Sequence, residues 1–302
     1  KLLLLKIVSL FSVIRGYNIP IIIIAQYLSA IFIMAPEQRA LSILLDFNIF
    51  ILVFASAIAI ASGYIINNFN DSQKDLIKRP SKSMLDRLVS QKTKLQVYFT
   101  LNFIVALMAW FISWRALLFF SFYIFLIWFY SHKLKKIVFI GNLSAALLAV
   151  WPFFAILLYY YQPTSIEELE RHKDHFAVII AHASFLFLLI LIRELIKDLE
   201  NLKGDLANNY HTIPVFYGEN WSKRISTGLT VLTLVPVYIL IELYDVGYMD
   251  IYFYSSLIVL LFFLLLLWQS NNKPHYIRLH NILKFLIVAG VFCIVLINPS
   301  VL

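Results

Sequence analysis

Charge is scarce in this chain. Of 302 residues, 14% are Asp, Glu, Lys or Arg and 61% are hydrophobic, with a mean hydropathy of +0.82. Soluble domains carry nearer a quarter charged residues. A water-soluble globular fold is therefore excluded, and an all-α polytopic membrane protein is expected, one helical domain over residues 1–302. Cysteine is almost missing: Cys293, inside the last apolar run, is the only one. No disulfide can form within the chain, so no redox compartment can be read from it. The seven histidines show no metal-ligand spacing, and His172 and His175 share a polar loop with Glu167, Glu168 and Glu170. There is no Walker loop, G-x-G-x-x-G, G-x-S-x-G or H-E-x-x-H, so nucleotide-binding, hydrolase and zinc-protease readings have no support. Low-complexity tracts, heptads and soluble linkers are absent too.

What is present is a series of nine apolar runs, near 17–35, 47–66, 95–112, 115–131, 140–160, 176–196, 225–242, 251–268 and 282–298. Most approach the ~20 residues that cross ~30 Å of hydrocarbon. With the N-terminus inside, alternate connections hold 21 of the 25 Lys and Arg residues on the cytoplasmic side. Asp and Glu divide almost evenly, 8 inside and 9 outside. The net charge of +8 is thus an orientation signal, not a nucleic-acid footprint. Residues 1–16, with Lys1, Lys6 and Arg15 flanking Leu, Ile and Val, read as a helix lying in the interface. No A-x-A-like site follows them, so a signal peptide is disfavoured.

Two acidic clusters stand where apolar runs reach water, both on the expected cytoplasmic side. In the first, Asn67, Asp71 and Asp75 recur every four residues. Four residues turn a helix by 400°, so these side chains drift by only about 40° per step and share one stripe. In the second, Asp198, Asn201 and Asp205 are three and four apart, again on one face, whereas Glu200 and Lys203 point elsewhere. A carboxylate at mid-bilayer costs roughly 2.5–3.5 kcal/mol, less toward the interface. Two facing stripes of hard oxygen ligands would suit a divalent cation and, through it, a diphosphate on a lipid chain.

Basic residues accompany both clusters. Lys78-Arg79-Pro80 follows the first, and the proline ends or kinks a helix there, turning Arg79 back toward the carboxylates. Arginine suits bidentate contact with phosphate oxygens. Tyr130-Ser131-His132-Lys133-Leu134-Lys135-Lys136 closes the fourth run, and Gly141-Asn142 opens the fifth. Asn142, Arg15 and Asn18 each read equally well as interhelical hydrogen-bonding groups. Aromatics make up 16% of the chain. Some would line an apolar tunnel facing a developing allylic cation.

These residues resemble the UbiA superfamily of intramembrane prenyltransferases. Its N-x-x-x-D-x-x-x-D signature is matched by Asn67, Asp71 and Asp75, and its Arg-Pro by Arg79-Pro80. Its Y-S-x-x-L-K and later G-N are matched by Tyr130, Ser131, Leu134, Lys135, Gly141 and Asn142. One branch carries K-D-x-x-D-x-x-G-D followed by T-[LI]-P-V, matched by Lys197, Asp198, Gly204, Asp205 and Thr212-Ile213-Pro214-Val215. The chain departs at Asn68 and Asn201, where Asp is usual, and at Asn208-Asn209-Tyr210, where a glycine is expected. With Asn in both places the site would carry less negative charge than is typical.

The resemblance implies nine helices and Mg²⁺-dependent transfer of a polyprenyl group from its diphosphate to a lipophilic acceptor. Asp71, Asp75, Asp198 and Asp205 would hold Mg²⁺, with oxygens from Asn67 and Asn201. Arg79 and Lys135, with Lys78 and Lys197, would meet the diphosphate. Arg15, Asn18, Lys133 and Asn142 would lie toward the acceptor. The second signature is most similar to the branch that prenylates glyceryl phosphate ethers, where Arg15, Lys78, Lys133 and Lys197 are candidates for a second phosphate. Alternatives are an aromatic acceptor such as hydroxybenzoate or naphthoate, a terpene cyclase without acceptor, and a transporter. A transporter would place its polar groups at mid-membrane; here they lie at helix ends. Expected partners are the donor, the acceptor and membrane lipid, with no nucleic acid.

Overall fold

The computed structural model describes residues 2–14, 16, 18–78, 84, 86–160, 173–207 and 211–299; for 2–7, 73–78, 173–175 and 207 the backbone alone is described. The described regular elements are all helical. We number the helices α1 (Leu2–Ile14), α2 (Ile19–Ser29, continued by a π turn, Ala30–Met34), α3 (Ala40–Leu44), α4 (Phe47–Lys78), α5 (Gln91–Ile112), α6 (Trp114–His132) and α7 (Ile140–Tyr160). The second half holds α8 (Lys173–Ala207), α9 (Ile213–Tyr217), α10 (Glu219–Leu232), α11 (Leu234–Tyr238), α12 (Met249–Gln269) and α13 (Lys273–Cys293). Eight helical segments are long and apolar enough to cross a membrane, and the pair Val8–Ile14 and Ile19–Met34, bent by 53°, makes nine if counted as one span. This is an integral, multi-pass membrane protein, as composition required.

The two acidic runs are not loops. α4 has 32 residues and α8 has 35. At 1.5 Å per residue each reaches roughly 50 Å, well beyond ~30 Å of hydrocarbon. Both helices therefore carry their last turns out of the apolar zone, with the acidic stripes on a rigid scaffold.

Small residues let α4 sit at the centre. Ala55, Ser56, Ala59 and Ser62 are each at most 1% exposed. A Cβ on Gly63 would meet Ile127 Cγ2 at 2.9 Å, so glycine is what admits α6 at this distance. α4 packs most extensively on α5 and also on α6, while α8 packs on α13 and α7. Outward faces are apolar: Phe99, Phe103, Trp110 and Phe111 on α5, and Ile251, Ile258 and Phe262 on α12, are all more than half exposed. In water that surface would aggregate; in a bilayer it faces lipid.

Backbone groups that the helices leave open are closed by side chains, as the bilayer interior demands. Pro152 has no N–H, so the Leu148 carbonyl four residues earlier loses its helical donor. The buried Tyr123 hydroxyl donates to it at 3.1 Å. Gln26 Nε2 donates to the Pro152 carbonyl at 2.7 Å and to Ser56 Oγ at 3.0 Å, tying α2, α7 and α4 together. Ser90, Ser113 and Asn272 cap α5, α6 and α13 by accepting from the amides three residues on.

Candidate active site

On α4, Asn67 and Asp71 lie one turn apart, as the stripe predicted. Lys135 spans them: its Nζ donates to Asn67 Oδ1 at 2.9 Å and pairs closely with Asp71 Oδ2. The Lys135 and Asp71 side chains are 10% and 16% exposed, so this pair is largely withdrawn from water. Ser131, one turn before Lys135, donates from Oγ to Asn67 Oδ1 at 3.4 Å. Asp75 follows on the next turn of the same helix. Its side chain, that of Lys78, and all of Arg79 and Arg15 lie outside the described residues.

The connection between α6 and α7 is what brings the second stripe in. A three-residue 3₁₀ turn, Leu134–Lys136, follows α6. Phe139 then adopts φ 63°, a left-handed conformation that costs a bulky residue energy. A Cβ on Gly141 would stand 3.0 Å from the Lys135 carbonyl oxygen and 3.1 Å from its Cα. Glycine thus lets the start of α7 close on the backbone of Lys135. The next residue, Asn142, is 9% exposed and donates from Nδ2 to Asp198 Oδ2 at 2.7 Å. One tight connection therefore brings Lys135 against Asp71 of α4 and Asn142 against Asp198 of α8. The two acidic stripes are at the same end of the bundle.

On α8 the stripe continues to Asp205, which is 4% exposed. Asn201 turns its Nδ2 to the Lys197 carbonyl at 2.8 Å. Lys197 Nζ donates to Glu194 Oε2 at 2.7 Å rather than reaching across to α4. Glu200 faces α13, with Oε2 3.4 Å from His280 Nδ1, in keeping with its expected position off the stripe. Of the residues expected toward an acceptor, Asn18 donates to the Tyr64 hydroxyl at 3.4 Å, Lys133 is exposed at the end of α6, and Asn142 belongs to Asp198.

One expectation is corrected. Asn68 does not dilute the charge of the first stripe, because one residue along a helix is a 100° turn. Its carboxamide accepts from Lys94 Nζ at 2.8 Å and donates to Asp86 Oδ2 at 3.0 Å, while Ser12 Oγ donates to Asp86 Oδ1 at 2.9 Å. Lys94 and Asp86 are 1% and 4% exposed. This buried network joins α1, α4, α5 and the segment before α5. Sequence reasoning missed it, counting Lys94 only as an inside charge. A signal was available: Asp86 is the lone acid between Asp75 and Glu167.

The donor chemistry suits a hard divalent ion. The stripes offer carboxylate and carboxamide oxygens, with no thiolate or imidazole among them. Among the described residues, no three His, Cys, Asp or Glu side chains converge tightly enough to enclose a metal. Mg²⁺ commonly takes one or two carboxylates and completes its shell with water and substrate phosphate.

Comparison with known proteins bears on this geometry. The chain is 25% identical over 245 residues to the digeranylgeranylglyceryl phosphate synthase of Methanobrevibacter smithii, covering 79% of this chain and 80% of that one. It is 29% identical over 188 residues to the synthase of that name from Thermococcus sibiricus, where the match spans 62% of this chain and 61% of the relative. A solved digeranylgeranylglyceryl phosphate synthase superposes with a TM-score of 0.73 at 20% identity, covering 96% and 97% of the two chains. A UbiA homologue from Archaeoglobus fulgidus bound to GPP and Mg²⁺ superposes with a TM-score of 0.67 at 14% identity, covering 95% and 99%. These superpositions establish a shared fold. The profile of the UbiA prenyltransferase family matches residues 23–297, nearly the whole chain. With its paired stripes at one end of a helical bundle, the chain belongs to the UbiA prenyltransferase family.

Proposed function

We propose that this protein transfers a polyprenyl group from its diphosphate to the hydroxyl of a prenylglyceryl phosphate, with Mg²⁺ as cofactor. The observation that carries the reading is the tight α6–α7 connection, which places a lysine on Asp71 and an amide on Asp198. Asp71, Asp75, Asp198 and Asp205, with Asn67 and Asn201, would hold the metal. Mg²⁺, when bound, supplies Lewis-acid stabilisation of the departing diphosphate. The protein's own part is to hold those oxygens on two rigid helices and keep a cation beside them. Lys135, anchored by its backbone against Gly141, can turn its ammonium from Asp71 toward phosphate oxygens without moving the main chain. Arg79 follows the first stripe in sequence and serves the same diphosphate. Asn142 holds the Asp198 carboxylate in one orientation. In the transfer, the C1–O bond to diphosphate breaks, the glycerol oxygen bonds C1, and the hydroxyl proton is lost to solvent or base.

The acceptor class rests on the form of the second signature and on the names of the relatives. The excess of Lys and Arg on one set of connections supports a cytoplasmic mouth. Mass spectrometry tests the reading after the pure protein meets Mg²⁺, prenyl diphosphates and an acceptor panel. A prenyl ether of the glyceryl phosphate is expected, and it should vanish with chelator. Transfer to hydroxybenzoate or naphthoate alone would overturn the acceptor. Cyclised product with no acceptor consumed would overturn the transfer itself.

A further inference from the structure

A cavity of about 590 Å³ opens at the start of α10, apart from the two acidic stripes. It lies at the same end of the bundle, since α8 leaves the stripe at Ala207 and short α9 leads directly to α10. Its walls include Gly218, Asn220, Trp221, Lys223, Arg224 and Asn271. We propose that it binds the phosphate ester of an anionic amphiphile, a site that goes beyond the transfer reaction.

The cationic wall is the first argument. Lys223 is 5% exposed, and burying an ammonium is costly unless its charge is met. It donates to the Ser270 carbonyl at 2.6 Å and lies 5.9 Å from the centre of the Tyr276 ring. One carbonyl uses one of its three N–H donors. No described carboxylate forms an ion pair with it. Glu219 also lines the cavity and brings a negative charge while its Oε2 accepts from the Tyr276 hydroxyl at 2.8 Å, so the wall is net positive only through Lys223 and Arg224 together. Arg224 adds a second cation, its guanidinium 5.5 Å from the Trp221 ring centre. That cation–π contact keeps the guanidinium at the rim, where its planar fork suits phosphate oxygens.

The backbone gives an independent second argument. α10 has 14 residues and starts here with no side-chain cap. Gly218 precedes it at φ 86° and has nothing within 4 Å of its would-be Cβ. Glycine is therefore required by the turn, and the turn leaves the way to the first amides of α10 open. Those amides and the positive end of the helix dipole favour an anion. Asn220 and Asn271 add amide donors. Finally, Phe216, Tyr217 and Trp221 are each more than half exposed, and aromatics at the water end of a span sit at headgroup depth. The volume exceeds what a bare phosphate needs and leaves room for an ester substituent.

Native mass spectrometry of the whole protein in detergent tests this with short-chain phosphatidylglycerol, phosphatidylcholine and inorganic phosphate as probes. Wild type should retain phosphatidylglycerol at least fivefold better than phosphatidylcholine. Arg224→Gln and Asn220→Asp, both exposed positions, should each lower that retention at least fivefold, and Lys223→Met should lower it further. If inorganic phosphate displaces the lipid in wild type and binds more weakly to Arg224→Gln, the pocket reads the phosphate itself and free phosphate can also fill it. Displacement failing would assign it to lipid headgroups alone. Equal retention by wild type, Arg224→Gln and Asn220→Asp would overturn the proposal even if Lys223→Met misfolds. So would equal retention of the two phospholipids.

Discussion

Asp71 on α4 meets an ammonium, whereas Asp198 on α8 meets an amide. The two stripes have nearly the same spacing and lie at the same end of the bundle, yet their local charge differs. Lys135 offsets one negative charge of the first stripe. Asn142 orients Asp198 without offsetting anything, and Lys197, the nearest lysine in sequence, is occupied by Glu194. At Asp198 the second stripe thus meets a neutral donor where the first stripe meets a cation at Asp71. The first has a positive group already built in, fit to follow a phosphate. The stripes are not interchangeable halves, and substitutions can rank them.

The largest effect is expected at Asp198. Asp198→Asn removes a carboxylate that Asn142 holds in place and that no described side-chain cation pairs with directly, and about a thousandfold loss of turnover is expected, some 4 kcal/mol of transition-state stabilisation. Asp71→Asn removes a carboxylate that Lys135 already half neutralises, so a smaller loss of about a hundredfold is expected. Turnover in proteoliposomes, beside circular dichroism of each variant, checks both. Equal losses would mean that the stripes share charge through the metal and that the neighbours are immaterial. The reverse order would place the dominant ligand on α4.

Lys135 sharpens the same contrast. Lys135→Met leaves the Asp71 carboxylate without its cation and takes one positive charge from the donor phosphates. The donor KM should rise by about tenfold or more, with the acceptor KM nearly unchanged, because a charge-assisted contact is lost on one substrate only. A matching rise in the acceptor KM would put Lys135 at the acceptor phosphate instead.

Which residues share a face at the candidate site was legible from sequence, and the reason is helical periodicity. Asn67, Asp71, Asp198 and Asp205 follow from spacings of three and four, which fix a face whatever the tertiary structure. Partner choice across helices does not follow from spacing. That Lys135 reaches Asp71 of α4 and Asn142 reaches Asp198 of α8 depends on a turn with Phe139 in a left-handed conformation and a glycine against the Lys135 backbone. Eight of the nine spans read from hydropathy alone stand as single helical segments, the ninth being the bent pair Val8–Ile14 and Ile19–Met34, but the extent of α4 and α8 was not readable, since their last turns are polar. The two asparagines at usual Asp positions looked equivalent in sequence, and the fold separates them. Asn68 belongs to the Asp86–Lys94 network and Asn201 to the stripe.

That separation gives a stability test. Asn68→Asp replaces the donor that serves Asp86 by a second carboxylate oxygen at about the same place. Lys94 compensates in part, so a net cost of about 1–3 kcal/mol is expected, read as a lower thermal midpoint in detergent. Metal affinity should stay as it is. An unchanged midpoint together with tighter metal binding would return Asn68 to the stripe.

Asn201→Asp should act in the opposite sense and by less. Asn201 shares a face with Asp198 and Asp205, so a carboxylate there adds charge where a cation is expected to bind. The substitution also removes the amide that donates to the Lys197 carbonyl at 2.8 Å. A carboxylate oxygen left facing that carbonyl would be repelled and would turn outward, toward the stripe. The lost hydrogen bond costs about 1 kcal/mol of stability, whereas the added charge strengthens metal attraction in a partly hydrated setting where Coulomb terms are modest. A few-fold decrease in the Mg²⁺ concentration for half-maximal turnover is the expected balance, with a slightly lower thermal midpoint. Mn²⁺ binding followed by electron paramagnetic resonance gives the same reading without turnover. If half-saturation does not move in either measurement, Asn201 only bonds back to its own helix and the metal relies on the carboxylates around it.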